Sequence, residues 1–312
     1  MVEKERFTVS NAPHIHAKAG TAGLMRDVLI ALTPCAAAGI WLFGWAAART
    51  ILISTAACVL FELLFQLAAK KTVRIRDLSA AVTGVLLGLN LPPTAPWWMI
   101  LVGALVAIVL VKQLFGGIGD NFVNPALMAR AVLLSSWPVH MTAGSGASAF
   151  VTPFDAVSSA TPLSGHLDAV SLADMFVGRM PGSIGEACKI AILIGLAYLL
   201  LRRVITWHIP ITMLASFGLF AWLFGADPLR ALLTGGILFG AVFMAPDYVT
   251  SPMQKIGQMI YAAGAGLITA LIRRFGSYPE GVTYAILLMN ICTPLIDRLC
   301  RRRVYGEVKT HA

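Results

Sequence analysis

From residue 25 to residue 298 the chain is a succession of apolar runs, separated by short clusters of Lys, Arg, Gly and Pro. Most runs reach the roughly 17 to 25 residues that a helix needs to cross a hydrocarbon core about 30 Å thick. Only 12% of the 312 residues are charged and 58% are hydrophobic, whereas soluble domains carry about 25% charged residues. The chain has too little polar surface to stay in water. It reads as an all-α polytopic membrane protein.

Ten segments emerge, at 25–46, 50–69, 78–92, 97–115, 121–137, 184–201, 209–225, 229–245, 257–272 and 282–298. The third and eighth are short and glycine-rich, as half-helices or broken helices would be. This divides the chain into an N-terminal segment (1–24), five helices (25–137), one long connection (138–183), five further helices (184–298) and a tail (299–312).

The net charge of +9 does not point to nucleic acid. Its Lys and Arg residues lie in clusters between spans rather than along a basic, aromatic-interleaved face. They read instead as topology signals. With an even number of spans both termini share one side, and Lys70, Lys71, Arg74, Arg76, Lys112, Arg202, Arg203, Arg298 and Arg301 to Arg303 all fall on it. That side is the cytoplasm, which puts 138–183 outside. Arg273-Arg274 violates the pattern: either late charges carry little weight, or the pair meets an anionic group.

A duplication is visible. Leu78-Ser79-Ala80-Ala81-Val82-Thr83-Gly84-Val85-Leu86-Leu87 resembles Leu229-Arg230-Ala231-Leu232-Leu233-Thr234-Gly235-Gly236-Ile237-Leu238 at an offset of 151, and Phe115-Gly116-Gly117-Ile118-Gly119-Asp120 resembles Phe275-Gly276-Ser277-Tyr278-Pro279-Glu280 at an offset of 160. Repeats of five spans would be inverted with respect to each other, and interrupted segments at equivalent positions of such halves mark a ligand site near the midplane.

Ionisable residues inside spans normally face the bundle interior. Glu62 and Arg130 are two. They either pair with each other or with backbone carbonyls, or they contact a cofactor or ion path. Asn124-Pro125 suggests a helix interrupted beside a cavity, because proline removes a backbone donor. Met244 to Pro252, with Asp247 and Thr250 between two prolines, forms a re-entrant turn or a plain loop. His14 and His16 lack further ligands, and the five scattered cysteines offer no CxxC or metal spacing, so no metal site is expected. Soluble-enzyme signatures such as GxGxxG, Walker loops, GxSxG and HExxH are absent.

Within the long connection, Asp155-x-x-Ser158-Ser159-Ala160-Thr161 resembles the flavinylation sequence Asp-x-x-[Ser/Thr]-Gly-Ala-Thr, with Ser159 where the motif has glycine. The membrane subunits that carry it are the D subunit of the Rnf ion-translocating ferredoxin:NAD oxidoreductase and the B subunit of the sodium-pumping NADH:quinone reductase. This chain is more similar to the former, since its first span begins near residue 25 without a long preceding segment. Ala12-Pro13-His14, Ala31-Leu32-Thr33-Pro34, Asp77-Leu78, Gly88-Leu89-Asn90-Leu91-Pro92-Pro93 and Asn124-Pro125-Ala126 with Arg130 extend the resemblance over the whole chain.

The resemblance implies ten transmembrane helices in two inverted five-helix repeats, similar to urea transporters. It implies FMN joined to the Thr161 hydroxyl by a flavin transferase, with Asp155, Ser158, Ser159 and Ala160 as the recognition sequence, and a second, non-covalent riboflavin. Asn124, Arg130 and Glu62 are candidates for that second flavin or for an ion path. The partners would be the A, B, C, E and G subunits of the complex, above all the FMN-bearing G subunit, in a bacterial inner membrane. The competing readings are a solute channel of the urea or ammonium type and a purely structural scaffold.

Overall fold

A computed structural model describes residues 20–142, 172–178, 182–276 and 281–300. All regular structure among them is helical: α1 (Thr21–Phe43), α2 (Trp45–Ala68), α3 (Ser79–Asn90), α4 (Trp97–Leu105, continued as a π-helix over Val106–Gln113), α5 (Pro125–Ser136), α6 (Pro138–Thr142), α7 (Leu172–Val177), α8 (Lys189–Leu201), α9 (His208–Leu223), α10 (Pro228–Leu233), α11 (Ile237–Phe239, continued as a π-helix over Gly240–Met244), α12 (Lys255–Phe275) and α13 (Val282–Cys300). Four of these, α1, α2, α12 and α13, are long and apolar enough to cross a membrane. The others are shorter. At 1.5 Å per residue, α3 covers only about 18 Å. Trp45, Leu201, Leu223 and Leu299 lie exposed on the outside, while Leu32, Leu87, Met99, Phe217 and Tyr261 fill the interior. Large apolar side chains facing outward all round the bundle suit lipid rather than water.

The eighth segment is broken, as its glycine-rich sequence predicts, and a proline sits inside the first span. Pro34 lies within α1, where it withdraws the N–H that would bond the carbonyl of Ile30; the Thr33 hydroxyl donates to that carbonyl instead, at 2.7 Å. The eighth apolar segment breaks after α10, where Gly235 adopts φ +65°. The break leaves carbonyls without helical partners, and Arg273 satisfies two of them, donating to Ala231 O (2.8 Å) and Thr234 O (3.1 Å). Its guanidinium also lies over the Phe217 ring, 4.7 Å from the centroid. The apparent topology violation is therefore answered for Arg273: it caps a broken helix.

The expected interruption at Pro125 takes a different form. α5 begins at Pro125, with the Asn124 side chain accepting from the N–H groups of Ala126 and Leu127. Proline at the first helical position removes a donor that has no partner anyway, so no carbonyl is freed and the helix starts there rather than kinking.

Helix pairing follows small residues. α3 packs on α2, where a Cβ added at Gly84 would lie 2.6 Å from Thr55 Cα and one at Gly88 would lie 2.9 Å from Ile51 Cα. Close backbone approach of this kind is how helices associate where no hydrophobic effect separates protein from lipid. Replacing Gly84 by Ala is expected to destabilise the protein by about 1–3 kcal/mol, read as a lower midpoint of thermal unfolding in detergent; an unchanged midpoint would contradict this packing.

Candidate functional site

The two short, interrupted segments meet. α3 ends at Asn90, and its terminal carbonyls are taken up by the second half of the chain: Gly185 N–H donates to Leu89 O (2.7 Å) and Ile184 N–H to Leu91 O (3.3 Å). Glu186, the next residue, turns its carboxylate to Arg130 of α5 at 3.0 Å, and Arg130 also donates to the Asn90 side-chain oxygen at 2.7 Å. Gly236, in the break between α10 and α11, leaves the room for that carboxylate, since a Cβ there would fall 2.4 Å from its Oε1. Lys189, fully buried at the start of α8, donates to the backbone carbonyl of Glu186. One buried ion pair thus ties together α3, α5, the approach to α8 and the break before α11.

A second tie crosses the halves beside it. Asn124 donates from Nδ2 to Met244 O (3.4 Å), and its backbone N–H meets the Asn290 amide oxygen at 3.1 Å. The Asn290 nitrogen in turn donates to the Tyr261 hydroxyl at 2.7 Å.

Below these ties lies a central cavity of about 110 Å³. Its apolar wall comes from Leu24, Val28, Leu86 and Phe243, and its polar flank from Ser79, Thr83, Asn121 and Asn124. The stretch Met244 to Pro252 closes one side as a tight turn: Asp247 accepts from Val249 N–H (3.4 Å) and from the Thr250 hydroxyl (3.3 Å), and Thr293 of α13 donates to Thr250 O (2.8 Å). Burial pushes the Asp247 carboxyl above its ordinary range, against the two hydrogen bonds that favour its charged form.

The sign is then fixed. A carboxyl that binds its proton more tightly folded than unfolded contributes stability present below its unfolded pKa and lost as pH rises through its folded value. Against Asp247→Asn, the parent is expected to gain stability as pH falls from neutral toward the carboxylate range. Thermal melts at the two ends of that range check it; a parent that loses ground to the variant on acidification would contradict it.

A polar cavity of about 290 Å³ opens where α2 ends and α3 begins, lined in part by Glu62, Gln66, Asp77, Gln113 and Asp120. Glu62 stands at its inner wall, bonded to Lys112 Nζ at 2.9 Å, Gln113 Nε2 at 2.8 Å and Gln66 Nε2 at 3.2 Å. Glu62 and Arg130 therefore do not pair with each other: each has its own buried partner, Lys112 and Glu186. Sequence reasoning missed both partners. Lys112 reads as a loop charge at the end of an apolar run, and Glu186 as the polar start of the next span.

Asn124 lines the central cavity, Glu62 the polar one, and Arg130 the junction of the short segments. Thr161, Asp155, Ser158, Ser159 and Ala160, like His14, His16 and the 277–280 part of the repeat, lie outside the described residues. Among the described residues no group of three or more His, Cys, Asp or Glu could hold a metal.

Comparison with known proteins assigns the family. The protein is similar to the D subunit of the Na⁺-translocating ferredoxin:NAD⁺ oxidoreductase complex of Acetobacterium woodii, at 47% identity over 310 residues, covering 97% of this chain and 96% of that one. The D subunit of the proton-translocating ferredoxin:NAD⁺ oxidoreductase complex of Clostridium ljungdahlii is 40% identical, with 98% of both chains covered. The D subunit of the ion-translocating oxidoreductase complex of Escherichia coli is 36% identical, over 97% of this chain and 99% of its own. The model of the NQR2, RnfD, RnfE family matches residues 8–306, and with relatives this similar along their full length, the chain belongs to that family.

Proposed function

We propose that the chain is the flavin-carrying membrane subunit of an ion-translocating ferredoxin:NAD oxidoreductase. It relays electrons through FMN on Thr161 within a complex that couples their flow to Na⁺ or H⁺ movement. The observation that carries this reading is the sequence Asp155-Ala156-Val157-Ser158-Ser159-Ala160-Thr161 in a chain that matches named D subunits from end to end. The protein supplies attachment, position and electrostatics, and the redox chemistry belongs to the bound group. Its partners on this reading are the other subunits of the complex, in the cytoplasmic membrane with both termini inside.

The helix packing supports the ten-span, two-repeat layout. α1 packs on α3 and α2 on α4; correspondingly α8 packs on α11 and α9 on α12. α1 also meets α8 and α5 meets α13, as helices beside an axis relating two halves would. The lining of the central cavity supports the second, non-covalent flavin in its chemistry. The cavity measures about 110 Å³, against the roughly 300–1,000 Å³ of ordinary ligand pockets, so the surrounding helices would have to part to admit it. An apolar slot suits an aromatic ring system, and Ser79, Thr83, Asn121 and Asn124 could hold a polyol chain. Denaturing gels viewed under ultraviolet light test the first flavin: the chain expressed with its flavin transferase should fluoresce, and the peptide spanning 155–163 should carry the mass of FMN less water. A dark band with an unmodified peptide would refute the reading.

A further inference from the structure

The Glu62–Lys112 pair is the partition between the two cavities. Glu62 and Gln113 line the polar cavity, whereas Lys112 and Ser79 line the central one. Both charged side chains are almost wholly enclosed, 2% and 4% exposed. Lys112 Nζ directs its three protons to Glu62 Oε1 (3.1 Å), Glu62 Oε2 (2.9 Å) and the Ser79 hydroxyl (2.6 Å), and Ser79 donates its own proton to Asp77 Oδ1 at 2.9 Å. Asp77 faces the polar cavity again. Lys112 also lies in the π-helical stretch of α4, a local widening that is frequent at functional positions. A buried pair of this kind is a poor device for stability, because two apolar residues would serve as well or better.

We infer that Glu62 and Lys112 form a proton relay from the polar cavity to the central one. This rests on the central cavity being a site where negative charge develops when an electron carrier is reduced. Glu62 takes a proton supplied by the bulk solution through the polar cavity. The Lys112 ammonium passes the proton it directs at Ser79 to that hydroxyl as Ser79, which lines the central cavity, gives its own proton to the base there. The amine left behind takes the proton held by Glu62. One proton crosses, all three side chains return to their starting state, and one negative charge in the central cavity is neutralised. Ser79 carries the proton between Nζ and the central cavity, and Asp77 is the positioning residue that holds its hydroxyl. Around the relay, Cys58 of α2 lies near the pair, Lys71 and Arg74 supply the cationic wall of the polar cavity, and Asp120 faces it from the loop after α4.

Lys112→Arg separates a relay from a structural pair. Arginine keeps the charge and the ion pair but does not give up a proton in proteins. The test uses the whole purified complex, reduced in lightly buffered detergent by reduced methyl viologen, which yields an electron without a proton. A pH-indicator dye reports proton uptake, and non-covalent flavin is extracted from the same preparation. Uptake in Lys112→Arg is expected to slow by roughly a hundredfold while flavin content stays at the parental level; the charge-free Lys112→Met/Glu62→Gln double variant should match it. Parental uptake rates in either variant would overturn the relay. A parent that binds no flavin there, yet takes up a proton that Lys112→Arg loses, keeps the relay and removes the flavin from the central cavity.

Discussion

Thr161→Ala is expected to abolish the covalent flavin outright and, with it, electron transfer through the complex, while assembly and expression stay near the parental level. A phosphodiester needs an oxygen nucleophile, and alanine offers none. The small residues Ser158, Ser159 and Ala160 leave room for a modifying enzyme to approach the backbone, and none can take over the acceptor role without shifting the register from Asp155. Thr161→Ser, which keeps the hydroxyl and removes only a methyl, should restore part of the fluorescence. The substitution removes only a hydroxyl and a methyl in the long connection between the two groups of helices, and stability is expected to stay within about 0.5 kcal/mol. Gel fluorescence, peptide mass and ferredoxin-dependent NAD reduction by the purified complex read the three consequences. Retained fluorescence in Thr161→Ala would move the attachment to another residue.

Helices were legible because apolar runs are local: each of the ten segments contains helix, displaced at its ends by a few residues. The break in the eighth segment was legible from its glycines, and it falls at Gly235. What the chain could not disclose are pairings set by packing. Lys112 stands at the end of an apolar run, where a lysine that stretches to the membrane surface is the ordinary case. Only the return of Glu62, 50 residues earlier, onto the same level makes it an interior residue. Arg130 and Glu62 are both interior charges of opposite sign, so pairing them is the natural guess from sequence. They belong to different layers, one at the junction of the short segments and one beside the polar cavity. Glu186 escaped notice because its role depends on Gly236, whose missing side chain matters only once the two segments are brought together.

That junction carries the largest expected effect on folding. Glu186→Ala should destabilise the protein by about 3–5 kcal/mol, because it leaves the Arg130 guanidinium buried where water cannot replace the carboxylate. Arg130→Met should do less harm, since Lys189 and Ser183 still stabilise the Glu186 carboxylate. The double variant Arg130→Met/Glu186→Leu is expected to recover only part of the loss, since removing both charges removes their desolvation penalty but takes the carboxylate away from the buried Lys189. Chemical unfolding in detergent gives the three values, and the cycle isolates the pair. The recovery need not extend to function. Asn90 would lose the guanidinium that fixes its side chain, and the approach to α8 would keep the backbone bonds of Ile184 and Gly185 to α3 but lose the ion pair. A double variant that folds well but transfers electrons poorly would show that the ion pair sets the relative position of the two halves. One that is as unstable as Glu186→Ala would mean that Arg130 and Glu186 act through other partners and not through each other.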